Sequence, residues 1–123
     1  MSNNYFTFKQ FTVNQQYAAF KVTTDSVLLG AWADLVSCRT ILDIGTGTGI
    51  LALMAAQRSA AKIVAIEPDS SSFMQAGLNF AASPWHERLT LYHSTIQDYQ
   101  PDAGLLFDAI ITNPPYFVDS LLN

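Results

Sequence analysis

The stretch Asp43-Ile44-Gly45-Thr46-Gly47-Thr48-Gly49 decides the fold of this 123-residue chain. A compact apolar segment, Thr40 to Ile44, leads into it, and the Ala- and Leu-rich segment from Ile50 to Arg58 follows it. Apolar runs of about four to eight residues are typical of buried strands, and longer runs rich in Ala and Leu are typical of helices. The sequence therefore predicts a strand, a glycine loop and a helix in succession.

Further elements follow this unit along the chain. They are a strand over Lys62 to Ile66, a helix capped by Asp69 that runs to about Ala82, and strands over Leu89 to Tyr92 and Phe107 to Thr112. Alternating strands and helices with short connections predict the α/β class, with a doubly wound, mostly parallel, Rossmann-like sheet. Because only eleven residues follow the fourth of these strands, we expect this sheet to be truncated.

The residues ahead of the glycine loop predict two smaller elements. Apolar and polar side chains alternate at period two between residues 5 and 22, which is typical of half-buried strands. We therefore expect a short hairpin within residues 1–24. Residues 25–36 place apolar groups at helical spacing behind Asp25 or Ser26 as the N-cap, and this pattern predicts a helix.

Composition excludes several classes of protein. Half of the residues are hydrophobic and 13% are charged, which is incompatible with a disordered chain. The formal charge of −4 provides no general attraction to nucleic acid, and a single cysteine, Cys38, excludes an internal disulfide and suits a reducing compartment. No apolar run reaches the roughly 18 residues of a membrane span, and the first residues lack a secretory pattern. We expect a cytoplasmic protein without a membrane partner.

The sequence of the glycine loop distinguishes between three known kinds of ligand-binding loop. Glycines allow tight turning and let the backbone approach a ligand. The dinucleotide fingerprint requires a glycine where Ile50 stands, and the phosphate-cradling loop requires a Lys followed by Ser or Thr, which this loop lacks. An acidic residue two positions before the first of three alternating glycines instead resembles the S-adenosylmethionine loop of Rossmann-like methyltransferases.

The residues after the next two predicted strands also bear on the cofactor. Glu67 lies close to the distance past the glycines at which a carboxylate can accept both hydroxyls of a ribose, whereas Asp69 is interpreted as a helix cap. In the methyltransferase superfamily an acidic residue after the third strand often contacts the adenine amino group, but Thr95 stands there in this chain. Three alternatives stay open: Thr95 accepts that hydrogen bond, Asp98 replaces it, or the contact is absent.

The tetrapeptide Asn113-Pro114-Pro115-Tyr116 follows the fourth predicted strand, at the edge of the sheet where such folds bind ligands. A planar amine is a poor nucleophile because its lone pair is delocalised. The Asn113 side-chain oxygen and the Pro114 carbonyl can each accept one amine hydrogen, which points the lone pair at a sulfonium methyl group. Tyr116 can stack on a base turned out of its helix. The motif predicts N-methylation without a metal ion.

Together these motifs resemble the tRNA adenine-N6 methyltransferases that modify the anticodon loop of valine tRNA. The similarity covers essentially the whole chain and includes the stretches 8–13, 21–32, 51–58 and 83–85. It implies S-adenosylmethionine as cofactor, tRNA as partner, and one partial domain over 1–123 whose cofactor-binding half is 25–123. Members of this family are much longer, and the chain resembles their amino-terminal half.

The resemblance also assigns roles to individual residues. It implies that Asn113, Pro114, Pro115 and Tyr116 handle the adenine. It implies that the cofactor is bound by Lys21, Thr24, Asp25, Asp43, Gly45, Thr46, Gly47, Gly49, Glu67, Pro68, Thr95, Ile96 and Asn113. The family commonly has Gly where Thr23 stands in this chain. His86, His93 and Cys38 are interpreted as structural or solvated residues, not as metal ligands or nucleophiles.

Two other functions stay open. Protein glutamine methyltransferases that act on release factors face the same lone-pair problem and also carry Asn-Pro-Pro-Tyr, but they have a Pro- and Glu-rich motif where this chain has residues 24–30. The chain could also be an inactive S-adenosylmethionine-binding fragment. The resembled strand order, 3-2-1-4, leaves the fourth strand with an unpaired apolar edge, so we expect the chain alone to self-associate and to show little or no methyltransferase activity.

Overall fold

A four-stranded parallel sheet forms the centre of the fold. The computed structural model of the chain describes residues 5–7, 12–14 and 35–112. The strands are β1 (Tyr5–Thr7), β2 (Thr12–Asn14), β3 (Thr40–Ile44), β4 (Lys62–Ile66), β5 (Leu89–Tyr92) and β6 (Ala109–Thr112). The four-stranded sheet has the order β5-β4-β3-β6, and β1 and β2 form a separate antiparallel pair. Ile44 pairs with Ile66 on one side and with Thr112 on the other, so the carboxyl ends of three strands finish level at one edge.

Two helices connect the strands, and side chains fix their ends. Helix α1 (Ile50–Arg58) follows Gly49, and helix α2 (Ser70–Ala81) begins after Asp69, whose carboxylate accepts the Ser72 N–H at 2.9 Å. The guanidinium of Arg88 donates to the carbonyl oxygens of Ala56 and Ala61, at 2.8 and 2.6 Å. A cation at this position satisfies the Ala56 carbonyl in the last turn of α1 and opposes the negative end of the helix dipole.

The two central strands, β3 and β4, are covered on both faces, which explains their nearly continuous apolar character. The larger cluster lies on the face of Ile41 and Ile63 and includes side chains of α1 together with Phe80 from α2. On the opposite face Leu42, Val64 and Ile66 form a second cluster. Tyr99, Leu105 and Phe107, from the segment between β5 and β6, pack against it.

Most of the predicted elements are confirmed, including the strand order. The bounds of β3, α1, β4 and β5 are those predicted, and the antiparallel pairing of β1 with β2 confirms a hairpin at the front. Residues 25–34 of the helix predicted over 25–36 lie outside the described residues, and Leu35 and Val36 are not helical.

The predicted start of the fourth core strand is wrong by two residues. Strand β6 begins at Ala109, not at Phe107. The Asp108 carboxylate accepts the N–H groups of Arg39 and Thr40, at 2.6 and 3.2 Å, where a strand would offer a backbone carbonyl. The Asp108 N–H still donates to the Thr40 carbonyl at 2.8 Å. Because the Asp108 side chain takes the place of a backbone acceptor, regular strand pairing begins at Ala109.

The outer edge of β6 is paired with no strand in the part of the chain that the structure describes. Near it, Ile110 is 61% exposed and Leu106 is 81% exposed. Exposed apolar side chains beside an open edge favour association with another strand, so self-association of the chain stays a prediction. A short 3-10 helix, His86–Arg88, precedes β5. No helix in the described part of the chain is long and apolar enough to span a membrane.

Replacing Gly49 by alanine is expected to lower the free energy of unfolding by about 2–5 kcal/mol. Gly49 has φ +91°, and a Cβ there would lie 2.5 Å from Cε1 of the buried Phe80 ring. Gly104→Ala is the matched control, because Gly104 has φ +82° but its added Cβ would have no atom of residues 5–7, 12–14 or 35–112 within 4 Å. Urea denaturation of both variants measures the difference. Equal losses of unfolding free energy would show that the contact with Phe80 does not contribute to the effect.

Candidate functional site

The glycine loop runs from the end of β3 to the start of α1, at the carboxyl edge of the sheet. Gly45, Gly47 and Gly49 have φ values of 70°, 59° and 91°, in the left-handed region that favours glycine. The N–H groups of Gly45 and Thr46 both donate to the Ile66 carbonyl at 3.0 Å. The loop is therefore anchored to the end of β4 as well as to β3.

The three glycines differ in their surroundings. A Cβ at Gly45 or Gly47 would meet no atom of the described residues within 4 Å, whereas a Cβ at Gly49 would collide with Phe80. The first two glycines therefore border open space in which a ligand can approach the backbone. The space beside the third is filled by the protein itself.

Asp43 is fully buried at the end of β3, directly before the loop. Its Oδ2 accepts a 2.7 Å hydrogen bond from the Thr46 hydroxyl, and its Oδ1 has no hydrogen-bond partner among the described residues. Burial raises the pKa of this carboxyl to about 7, and the negative charge of Glu67 also raises it. The hydrogen bond from Thr46 and, to a smaller extent, the Ala52 backbone N–H lower the pKa of Asp43.

Glu67 lies just after β4 and is 5% exposed. Its Oε1 accepts the Gly47 N–H at 2.7 Å, and its Oε2 accepts the Asp69 N–H at 2.9 Å. The carboxylate thus connects the glycine loop to the start of α2, a role that the sequence pattern does not reveal. Each carboxylate oxygen has two acceptor positions, so both retain capacity for a ligand hydroxyl.

The glycine loop forms a cradle together with Asp43 and Glu67. The charges of this cradle determine which ligand charge it favours. No described basic side chain hydrogen-bonds to either carboxylate or shifts the pKa of Asp43. Buried charges are normally compensated, so the cradle favours a cationic ligand with hydrogen-bond donors and disfavours phosphate groups. Within residues 5–7, 12–14 and 35–112, no group of three or more His, Cys, Asp or Glu could hold a metal ion.

The segment after β5 lies beside Glu67, because the Ser94 N–H donates to the Glu67 carbonyl at 3.1 Å. Thr95 and Asp98 belong to one turn there, in which the Thr95 hydroxyl accepts the Asp98 N–H at 3.2 Å. Ile96 in the same turn is 43% exposed. The turn places both candidate adenine contacts near the cradle, and the choice between them stays a prediction.

A contact between Pro68 and His93 connects the residues that follow β4 with those that follow β5. The Pro68 carbonyl is 2.9 Å from His93 Nε2, and the His93 ring stacks on Phe73 with centroids 4.8 Å apart. These contacts agree with a structural role for His93.

Several predicted site residues lie outside the described part of the chain. They are Lys21, Thr24, Asp25, Asn113, Pro114, Pro115 and Tyr116. The residue just before the tetrapeptide, Thr112, is described, and its hydroxyl donates to the Ile44 carbonyl at 3.0 Å. The end of β6 therefore lies next to the start of the glycine loop.

The raised pKa of Asp43 predicts how stability depends on pH. Because that pKa lies above its ordinary value of 3.8, the protein binds an extra proton when folded, and this stabilisation is lost as pH rises towards and through about 7. The Asp43→Asn variant has no ionisable group at this position. As the pH rises from about 5 to about 8, we therefore expect the free energy of unfolding of the parent to fall by roughly 3 kcal/mol relative to that of Asp43→Asn. Urea unfolding at both pH values checks this, and a constant difference would contradict it.

Comparison with known proteins gives the same fold and a family. The Parabacteroides distasonis protein named tRNA1(Val) (adenine(37)-N6)-methyltransferase is 52% identical over 121 residues, which are 98% of this chain and 51% of that protein. The Phocaeicola vulgatus protein of the same name is 54% identical over 121 residues, with the same two coverages. The chain thus spans about half the length of these curated relatives.

The crystal structure of P. horikoshii TYW2 in complex with MeSAdo matches the chain with a TM-score of 0.65 and 20% identity. The match covers 78% of this chain and 37% of that one, and at this identity it confirms the Rossmann-like methyltransferase fold. The sequence matches the family described as methyltransferase small domain over residues 8–121. Because this match covers nearly the whole chain, the chain belongs to the methyltransferase small domain family.

Proposed function

We propose that the chain forms the S-adenosylmethionine-binding part of a tRNA (adenine-N6) methyltransferase. The observation that carries the proposal is the pair of buried carboxylates, Asp43 and Glu67, on either side of a glycine loop with open space at Gly45 and Gly47. The names of the relatives at 52% and 54% identity support the reaction and the substrate.

S-adenosylmethionine fits this cradle in charge and in hydrogen bonding. It carries a sulfonium cation, an ammonium group and a ribose diol, and when bound it supplies an activated methyl group. Glu67 accepts from the ribose hydroxyls with the acceptor positions that Gly47 and Asp69 leave open. Asp43 adds a buried negative charge beside the loop, and its Oδ1 is an acceptor without a donor among the described residues. A dinucleotide would bring phosphates to the same carboxylates and be repelled.

Other residues complete the proposed site. Thr95 or Asp98, with Ile96, borders the adenine of the cofactor, and Pro68 lies beside the ribose. Lys21, Thr24 and Asp25 are assigned to the cofactor by the family resemblance alone.

Asn113 holds the reacting amine of the substrate. Its side-chain oxygen and the Pro114 carbonyl accept the two amine hydrogens, which turns the lone pair towards the methyl group. Pro115 fixes the backbone, and Tyr116 stacks on the flipped base. The bond between Thr112 and Ile44 supports this placement, because it sets the residue before Asn113 at the start of the glycine loop.

A tRNA substrate has to be bound by a local surface or by further chain. The formal charge of −4 gives no general attraction to RNA. The relatives are about twice as long as this chain, and we assign the basic RNA-binding surface to their additional half. A tRNA substrate and a single cysteine both suit a cytoplasmic enzyme.

Methyl transfer tests the proposal. The chain is assayed alone and fused to the carboxyl-terminal half of the Phocaeicola vulgatus relative, with radiolabelled S-adenosylmethionine and with either unmodified tRNA or a protein release factor as methyl acceptor. We expect labelled N6-methyladenosine with the fusion and little or none with the chain alone. Label in protein glutamine would instead indicate the release-factor type of methyltransferase. Cofactor binding without any transfer by the fusion would indicate an inactive fragment.

A further inference from the structure

The glycine loop contains a buried hydroxyl that bonds to a buried carboxyl. Thr46 is 5% exposed, and its hydroxyl donates to Asp43 Oδ2 at 2.7 Å. Asp43 is 0% exposed, and its other oxygen has no hydrogen-bond partner in the described residues. The Thr46 hydroxyl is therefore the one described side chain that holds the Asp43 carboxyl in its orientation.

The surroundings of Asp43 disfavour its ionised form in the absence of a ligand. Its partners across the sheet, Ala65 on β4 and Ile111 on β6, are apolar. Glu67, at the end of β4, is the charged group that acts on it, and it adds like charge. From the first turn of α1, the Ala52 backbone N–H favours the ionised form, as Thr46 does. No described basic group faces Asp43 from these elements.

We propose that Thr46 is a positioning residue that couples cofactor binding to the release of a proton from Asp43. The inference rests on the proposed function, because it requires a cationic ligand in the cradle. Because burial raises the pKa of Asp43 to about 7, this carboxyl in the ligand-free protein is expected to be partly protonated near pH 7. When the cation binds, the O–H bond of the acid breaks, the electron pair stays on the carboxylate, and the proton passes to the buffer. The Thr46 hydroxyl stabilises the carboxylate that remains.

This coupling predicts that the methylated cofactor and its demethylated product release different numbers of protons on binding. S-adenosylmethionine carries a positive sulfur, whereas S-adenosylhomocysteine has a neutral one. The attraction between the sulfonium and the Asp43 carboxylate is lost with the methyl group. We therefore expect more proton release with S-adenosylmethionine than with S-adenosylhomocysteine.

The role of Thr46 is tested first without any ligand. Carbon-13 NMR follows the aspartate carboxyl signals of the chain from about pH 5 to about pH 9, and Asp43 is assigned by the loss of its signal in Asp43→Asn. Removal of a hydrogen bond to a charged group in Thr46→Val is expected to raise the titration midpoint of Asp43 by about 1–2 pH units. Thr46→Ser keeps the hydroxyl and should titrate like the parent. Equal midpoints in parent and Thr46→Val would overturn the proposal, as would a parent Asp43 already ionised at about pH 5.

Proton release is then measured by calorimetry with S-adenosylmethionine, in buffers of different ionisation enthalpy. We expect release of about half a proton per ligand near pH 7 in the parent, and more in Thr46→Val. Normal binding without proton release by the parent would refute the coupling, even if Thr46→Val does not fold. Absence of any binding would refute the proposed function, whereas the NMR titration would still decide whether Thr46 controls Asp43.

Discussion

Asn113→Ala is expected to slow methyl transfer to tRNA by more than about 100-fold, while the affinity for S-adenosylmethionine changes by less than about twofold. In the proposed reaction the Asn113 oxygen contacts the amine of the substrate and helps to point its lone pair. Loss of one preorganised hydrogen bond at a reacting group costs about 3 kcal/mol or more in the barrier. The substitution is therefore expected to lower kcat and to leave the affinity for the cofactor nearly unchanged.

The fusion to the carboxyl-terminal half of the Phocaeicola vulgatus relative is the form in which this is measured. Label incorporated into N6-methyladenosine gives the rate, and calorimetry gives the cofactor affinity. Gln57→Ala, at an exposed position on α1, is the matched control and should behave as the parent. A variant Asn113→Ala that transfers methyl groups at the parent rate would remove this residue from the catalytic site.

Glu67→Ala and Gly47→Val are each expected to weaken S-adenosylmethionine binding at least about 100-fold. Glu67→Ala removes the acceptor proposed for the ribose and also releases the bonds to Gly47 and Asp69. Gly47→Val forces a β-branched residue to φ +59° and fills the open space at the loop.

Two further variants separate ligand contacts from loop stability. Glu67→Gln keeps one acceptor oxygen for the loop but removes the negative charge, so its affinity should lie between those of the parent and Glu67→Ala. Gly104→Ala introduces a side chain at φ +82° outside the cradle and should bind as the parent does. Circular dichroism checks that each variant is folded. Parent-like binding by both Glu67→Ala and Gly47→Val would show that the cofactor site lies elsewhere.

Local patterns were sufficient to predict most of the sheet and helices. The apolar runs of β3 and β4 are buried on both faces, so their limits coincide with the limits of the runs. Asp69 was predicted as a cap because a short acidic side chain can reach the N–H three residues ahead, and its bond to Ser72 confirms this. The start of β6 was wrong because Asp108 bonds to residues nearly seventy positions away, which no local pattern reveals.

The same distinction applies to the candidate site. The spacing of Asp43, the glycines and Glu67 predicted that these residues meet at one edge of the sheet, since carboxyl ends of parallel strands share an edge. The bond between Glu67 and Gly47 was not predicted, because it depends on the side-chain rotamer and on the path of the loop. The loop sequence also gave no sign that Gly49 borders Phe80 from another helix, while Gly47 borders open space.

Equilibrium binding of S-adenosylmethionine and NAD+ to the unsubstituted 123-residue chain tests the central claim most directly. Calorimetry should show one S-adenosylmethionine bound per chain, and a hundredfold excess of NAD+ should not displace it, because the buried carboxylates of Asp43 and Glu67 repel its phosphates. Preferential binding of NAD+, or no binding of S-adenosylmethionine by a folded chain, would contradict the assignment of the glycine loop.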